Sequence, residues 1–244
     1  MAEVSLEALL GKTEEQAKQE YVNGLIYSVK KKIILPLLTT GQSIEEIKSV
    51  LTDKINNLYE SVITLPSYAN ELIRNKVVNG VGVVVNYPLG ENCIELILKE
   101  IKYWAKSSIT EIIVLLPLSD MKFGKYKNSE KILKKLIKLR GKKQVSVMLD
   151  TSNLTDVQLL ESARKLSSYR LNKIYLSNGE FVDKTEQKVL SIFKSVKRKY
   201  DVKYVLFCKT ENVGELQQYL TNCDFVACRK ATSLLSETLS KVTI

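Results

Sequence analysis

The residues of this chain that could do chemistry are few and lie late in it. Lys230, Thr232 and Ser233 stand at the start of a predicted helix, where a lysine ammonium, two hydroxyls and free backbone N–H groups suit a phosphate or sulfate. Asp150 and Thr151 close the apolar run Val145 to Leu149, and Cys208 and Lys209 close the run Tyr204 to Phe207. Cys208 is a candidate reactive thiol. Each has a plainer role. Asp150, Thr151, Thr232 and Ser233 suit helix caps and loop hydrogen bonds. A cysteine ending an apolar strand is ordinary core.

Composition narrows the chemistry. There is no histidine among the 244 residues, which removes the commonest general base and the commonest zinc ligand. Cys93, Cys208, Cys223 and Cys228 form no C-x-x-C pair, so no metal site is expected. No apolar run approaches the ~18 residues of a membrane span, and the polar, acidic start MAEVSLEALLGKTEEQ is unlike a signal peptide. The expectation is a cytosolic protein with reduced thiols and no membrane contact. Lysine and arginine exceed aspartate and glutamate by 37 to 27, a net +10, which favours anionic partners. Ten of these cations fall between Lys122 and Lys143, against the single acid Glu130, and a second run spans Lys194 to Lys199. Helical spacing turns Ile132, Leu133, Leu136 and Ile137 inward and the lysines outward. That face is either a solvated outer ring or a surface for an acidic protein partner or a nucleic-acid backbone. No cluster of aromatics accompanies the charge, so sequence-specific nucleic-acid readout is not expected.

The elements that must position these residues alternate in type. Apolar runs predict strands at 32–38, 60–65, 81–87, 111–116, 144–150, 173–177, 203–208 and 224–228. Helical spacing predicts helices at 43–58, 68–77, 92–106, 127–139, 154–168, 183–199, 212–221 and 231–241, preceded by a helical extension over 1–31. Ser43 and Glu46 form a capping box for the first of them. The strands are near-continuous apolar runs, such as VGVVV and EIIVLL, as expected when both faces of a sheet are covered by helices. Eight βα repeats without a Pro/Gly/Ser-rich linker predict one α/β domain over 1–244, a closed (β/α)8 TIM barrel with an additional N-terminal helix. No G-x-G-x-x-G turn supports an open nucleotide-binding sheet instead.

Four segments in order carry a family resemblance: LPSY at Leu65 to Tyr68, NYPLGEN at Asn86 to Asn92, VMLDTSNLTD at Val147 to Asp156, and KATSLL at Lys230 to Leu235. Together they resemble the deoxyribose-phosphate aldolase family. The resemblance implies a TIM barrel and, in active members, reversible cleavage of 2-deoxyribose 5-phosphate to glyceraldehyde 3-phosphate and acetaldehyde through a lysine Schiff base, with no cofactor. By the same resemblance, the Schiff-base lysine position on the sixth strand falls at Leu176 and the proton-relay aspartate on the fourth at Ile113. A strand-one aspartate falls at Leu35, a supporting lysine on strand five at Ser146, and a second lysine on strand seven at Cys208, with Lys209 a weak substitute. The glycine pair that cradles phosphate after strand seven is replaced by Lys209-Thr210-Glu211. These replacements imply a catalytically degenerate relative with a binding or scaffolding role. The alternatives are a rearranged aldolase and a sugar-phosphate sensor using Lys230, Thr232 and Ser233. A homodimer is compatible with all three.

Overall fold

Each predicted apolar run becomes one strand of a closed, all-parallel barrel. The computed structural model describes residues 32–39, 43, 45, 47, 59–74, 80–177, 187–197, 199–210, 212–231 and 234. The strands are β1 (Ile33–Leu37), β2 (Tyr59–Thr64), β3 (Val81–Val85), β4 (Glu111–Leu115), β5 (Gln144–Leu149), β6 (Lys173–Leu176), β7 (Lys203–Phe207) and β8 (Phe225–Ala227). They pair in chain order, and β1 closes the ring by pairing with both β2 and β8. Among the described residues the outer layer holds α1 (Pro66–Arg74), α2 (Ile94–Trp104), α3 (Leu118–Phe123), α4 (Lys127–Ile137), α5 (Asp156–Ser167), α6 (Gln187–Ser195) and α7 (Val213–Asn222). The short helix α3 has no counterpart in the sequence-based reading. The expected helix over 1–31, and most of those over 43–58 and 231–241, lie outside the described residues.

Two apolar cores follow from the alternation of strand side chains. One takes a residue from every strand: Ile34, Ile63, Val84, Ile113, Met148, Tyr175, Val205 and Ala227, with Leu38, Leu65, Leu115 and Phe207 alongside. This is the barrel interior, a packed core as expected of an eight-stranded barrel. Gly82 is part of that fit, since a Cβ there would stand 3.2 Å from both Ile63 and Ile113. The larger core joins the alternate strand residues to the helices, among them Ile101 and Trp104 of α2, Leu133 of α4, Leu159 of α5 and Phe193 of α6. The outer charge pattern is as the spacing predicts. Ile132, Leu133 and Leu136 are buried on α4, whereas Lys127, Lys131 and Lys134 are exposed.

Candidate functional site

Barrel chemistry belongs at the C-terminal ends of the strands, and here that rim is largely built for stability. The NYPLGEN segment links β3 to α2. Asn86, buried and at φ 68°, donates from Nδ2 to the carbonyls of Gly90 (2.6 Å) and Leu115 (2.9 Å), while its Oδ1 accepts the N–H of Asn92 (3.1 Å). The turn is thereby clipped to the end of β4. Gly90, at φ 76°, cannot be replaced without strain, because a Cβ would approach the Leu116 carbonyl to 3.1 Å. Glu91 caps the first turn of α3 by accepting the N–H (2.8 Å) and the hydroxyl (2.9 Å) of Ser119. The motif's polar side chains thus serve the architecture of the rim.

Asp150 and Thr151 sit at the end of β5, nearly buried. The Asp150 Oδ1 accepts the N–H (3.0 Å) and the hydroxyl (2.5 Å) of Ser152, a local loop bond. The helix cap belongs to Thr155, which exchanges side-chain and backbone bonds with Gln158 at the start of α5. Lys230 is exposed at the turn after β8, and its carbonyl accepts the N–H of Leu234 (3.1 Å). Thr232 and Ser233 lie outside the described residues. Lys209 is exposed just past β7.

Three of the positions at which the resemblance puts catalytic residues do not face the barrel interior. Leu35, Leu176 and Cys208 all belong to the layer between strands and helices. Ile113 lies within the barrel interior, and Ser146 bonds there to Glu111. On β6 the inward residue is Tyr175, one position before Leu176. On β7 it is Phe207, one before Cys208. The physical reason is parity, since a one-residue slip moves a strand side chain to the opposite face. Lys209 therefore follows the parity of inward Phe207.

The interior's charges lie at its other end. Glu111, Gln144 and Lys173 are the first residues of β4, β5 and β6. The Lys173 Nζ is 3.0 Å from the Glu111 Oε2 and 3.3 Å from the Gln144 Oε1, and stands 5.2 Å from the centre of the Phe225 ring. Ser146 donates to the Glu111 Oε1 (2.5 Å), and the Tyr175 hydroxyl to the Oε2 (3.3 Å). Glu111 is 1% exposed and the Lys173 side chain 6%. Sequence reasoning missed this cluster. Glu111 and Lys173 open apolar runs, and that placement was its only signal.

Burial, reinforced by the Glu111 carboxylate, pushes the Tyr175 phenol well above its ordinary value of 10.0. The unfolded chain releases this proton from about pH 10 upward, while the folded one retains it. This group's contribution to stability is therefore full below pH 10 and is lost as pH rises above it. Urea unfolding from pH 9 to 11 is expected to show a loss that Tyr175→Phe reduces. An identical pH dependence in the two proteins would contradict the buried placement.

Among the described residues no three of His, Cys, Asp or Glu are grouped to hold a metal ion, and no helix is long and apolar enough to cross a membrane.

Known proteins resemble the chain in sequence or in fold. A deoxyribose-phosphate aldolase from Caldanaerobacter subterraneus subsp. tengcongensis is 31% identical to this chain over 143 residues. The chain is homologous to deoxyribose-phosphate aldolase. That match covers 56% of the chain and 62% of the relative, so the chain spans less than two thirds of it. Solved structures share the aldolase-like barrel. A putative deoxyribose-phosphate aldolase from Coccidioides immitis superposes with a TM-score of 0.77 at 11% identity, covering 94% of this chain and all of that one. An aldolase designated QR15 gives 0.76 at 20% identity, covering 87% and 96%. A tetrameric deoxyribose phosphate aldolase from Aeropyrum pernix gives 0.70 at 15% identity, covering 94% and 100%. No protein-family model matches the chain.

Proposed function

We propose that this chain is a catalytically silent aldolase-like barrel whose role is binding or scaffolding. The observation that carries this reading is the interior itself. From its middle layer to the rim it is filled by Ile34, Ile63, Val84, Ile113, Met148, Tyr175, Val205 and Phe207. A Schiff base needs a neutral amine beside a site that admits the aldehyde. Lys173, held against Glu111 and Gln144, lies at the opposite end of the barrel from the rim. The inward position near the end of β6 is held by a tyrosine kept in its neutral form, which has no amine to offer.

Two other readings rest on single observations. Exposed Lys209, two residues past inward Phe207, supports a rearranged aldolase. Exposed Lys230 at the turn after β8 supports a sugar-phosphate sensor. The exposed lysines of α4 support an acidic protein partner, and the tetrameric Aeropyrum pernix relative supports self-association, in the simplest case as a homodimer. A cytoplasmic home belongs to the same reading.

The test is to incubate the protein with 2-deoxyribose 5-phosphate and borohydride and to measure its intact mass. No adduct is expected under conditions that label an active family aldolase. A stable adduct mapped to Lys209 would overturn the silent-barrel reading in favour of the rearranged enzyme.

A further inference from the structure

A cleft of about 510 Å3 opens at the N-terminal end of the barrel, opposite the rim where the family's chemistry belongs. Three loops wall it: the one entering β4, the turn entering β5 and the one entering β6. Its polar lining consists of Thr110, Arg140, Lys142, Lys143, Gln144 and Asn172, with no carboxylate among the lining residues. Glu111, the nearest acid in sequence, faces the interior and is matched there by Lys173.

Hydrogen bonds build the walls. The Lys143 Nζ donates to the carbonyls of Ser107 (2.6 Å) and Ile109 (2.5 Å), tying the turn before β5 to the loop before β4. Gly141, at φ 98°, lets that turn fold back so that the N–H groups of Lys142 and Lys143 both reach the Leu139 carbonyl (3.1 Å each). Asn172 accepts the Val145 N–H at its Oδ1 (2.9 Å) and donates its own N–H to the Val145 carbonyl (2.8 Å). Its Nδ2 is left as a donor. Gln144 likewise accepts from Lys173 at Oε1, leaving Nε2 as a donor.

One group in the cleft lacks a partner. The Arg140 Nε is buried and makes no hydrogen bond among the described residues. A buried donor left unmatched is unfavourable, so such a group is consistent with an acceptor that binds beside it. A guanidinium edge, a nearby lysine and two amide donors, with no acid lining the space, match the oxygens of a phosphoryl group. The volume lies within the range of small-molecule sites.

We infer that this cleft binds the phosphoryl group of a small phosphorylated metabolite, with Arg140 as its principal ligand. The site is separate from Lys230, and it stands whether or not the barrel interior is silent.

The experiment is calorimetric titration of the full chain at low ionic strength with inorganic phosphate and, separately, with 2-deoxyribose 5-phosphate. Saturable binding is expected, and Arg140→Gln should weaken it by about tenfold or more. Tighter binding of the ester would show that the cleft also holds the carbon skeleton; equal binding would show that the phosphoryl group alone is recognised. Lys230→Gln and Lys131→Gln should leave affinity unchanged. If Arg140→Gln fails to fold by circular dichroism, Arg140→Lys and Lys142→Gln take its place, each with a smaller expected loss. The inference is overturned if neither probe binds, or if the cleft variants bind as the parent does. Loss of binding in Lys230→Gln would move the site to the opposite rim. An equal loss in Lys131→Gln, or binding of a homopolymeric RNA alone, would reduce the effect to diffuse surface charge.

Discussion

Glu111→Ala is expected to destabilise the protein by about 3–5 kcal/mol, the usual cost of removing one partner of a buried ion pair. The substitution would strand the Lys173 ammonium inside the barrel beside the Gln144 side chain and the face of Phe225. It would also remove the acceptor for Ser146 and Tyr175. The penalty belongs to the unmatched charge and not to any large net value of the pair. Replacing both members, as Glu111→Leu with Lys173→Met, is therefore expected to recover most of the loss, because apolar residues of similar size often match or exceed a buried pair. Urea midpoints of the parent, the single variant and the double variant would decide it. A loss below about 1 kcal/mol for Glu111→Ala would mean that water reaches Lys173.

The second large effect concerns β6. Leu176→Lys, the substitution that the sequence resemblance suggests for restoring a catalytic lysine, is expected to cost several kcal/mol and to produce no aldolase turnover. Leu176 is fully buried in the layer between strands and helices, so a lysine there would bury an ammonium among apolar groups without an acid partner. Denaturant unfolding and an assay with 2-deoxyribose 5-phosphate read the two outcomes separately. A stable Leu176→Lys protein that traps the aldehyde with borohydride would shift the β6 register by one residue and make Leu176 the inward position.

Much of this fold is legible in one dimension. All eight strands form where the apolar runs place them, differing at their ends by no more than two residues. The runs are bounded by polar and helix-starting residues, and buried parallel strands need to be apolar throughout. The same property conceals the site. An alternating strand announces which side chains face the core, whereas EIIVLL and VSVML are buried on both faces and carry no such mark. In the folded barrel Ile113 and Ser146 lie in the interior, whereas Leu35, Leu176 and Cys208 lie between strands and helices. The helix α3 escaped notice because six residues beginning LSDMKF are too few to show a helical period.

The sequence by itself determined the class of architecture, the absence of a histidine to serve as base or ligand, the net positive charge, and the family to which the chain is homologous. These rest on composition, local periodicity and motif order, all of which are local properties of the chain. Only the tertiary structure decided which residues meet. Glu111 and Lys173 lie 62 positions apart and become an ion pair because barrel closure brings the starts of β4 and β6 to one layer around β5. Tyr175, and not Leu176, faces the interior because strand parity is set by the pairing of neighbouring strands. Arg140 and Asn172 wall one cleft because the loops entering β5 and β6 converge at the same end of the barrel. Contacts at such separations depend on how the sheet closes, and no local pattern of residue types encodes them.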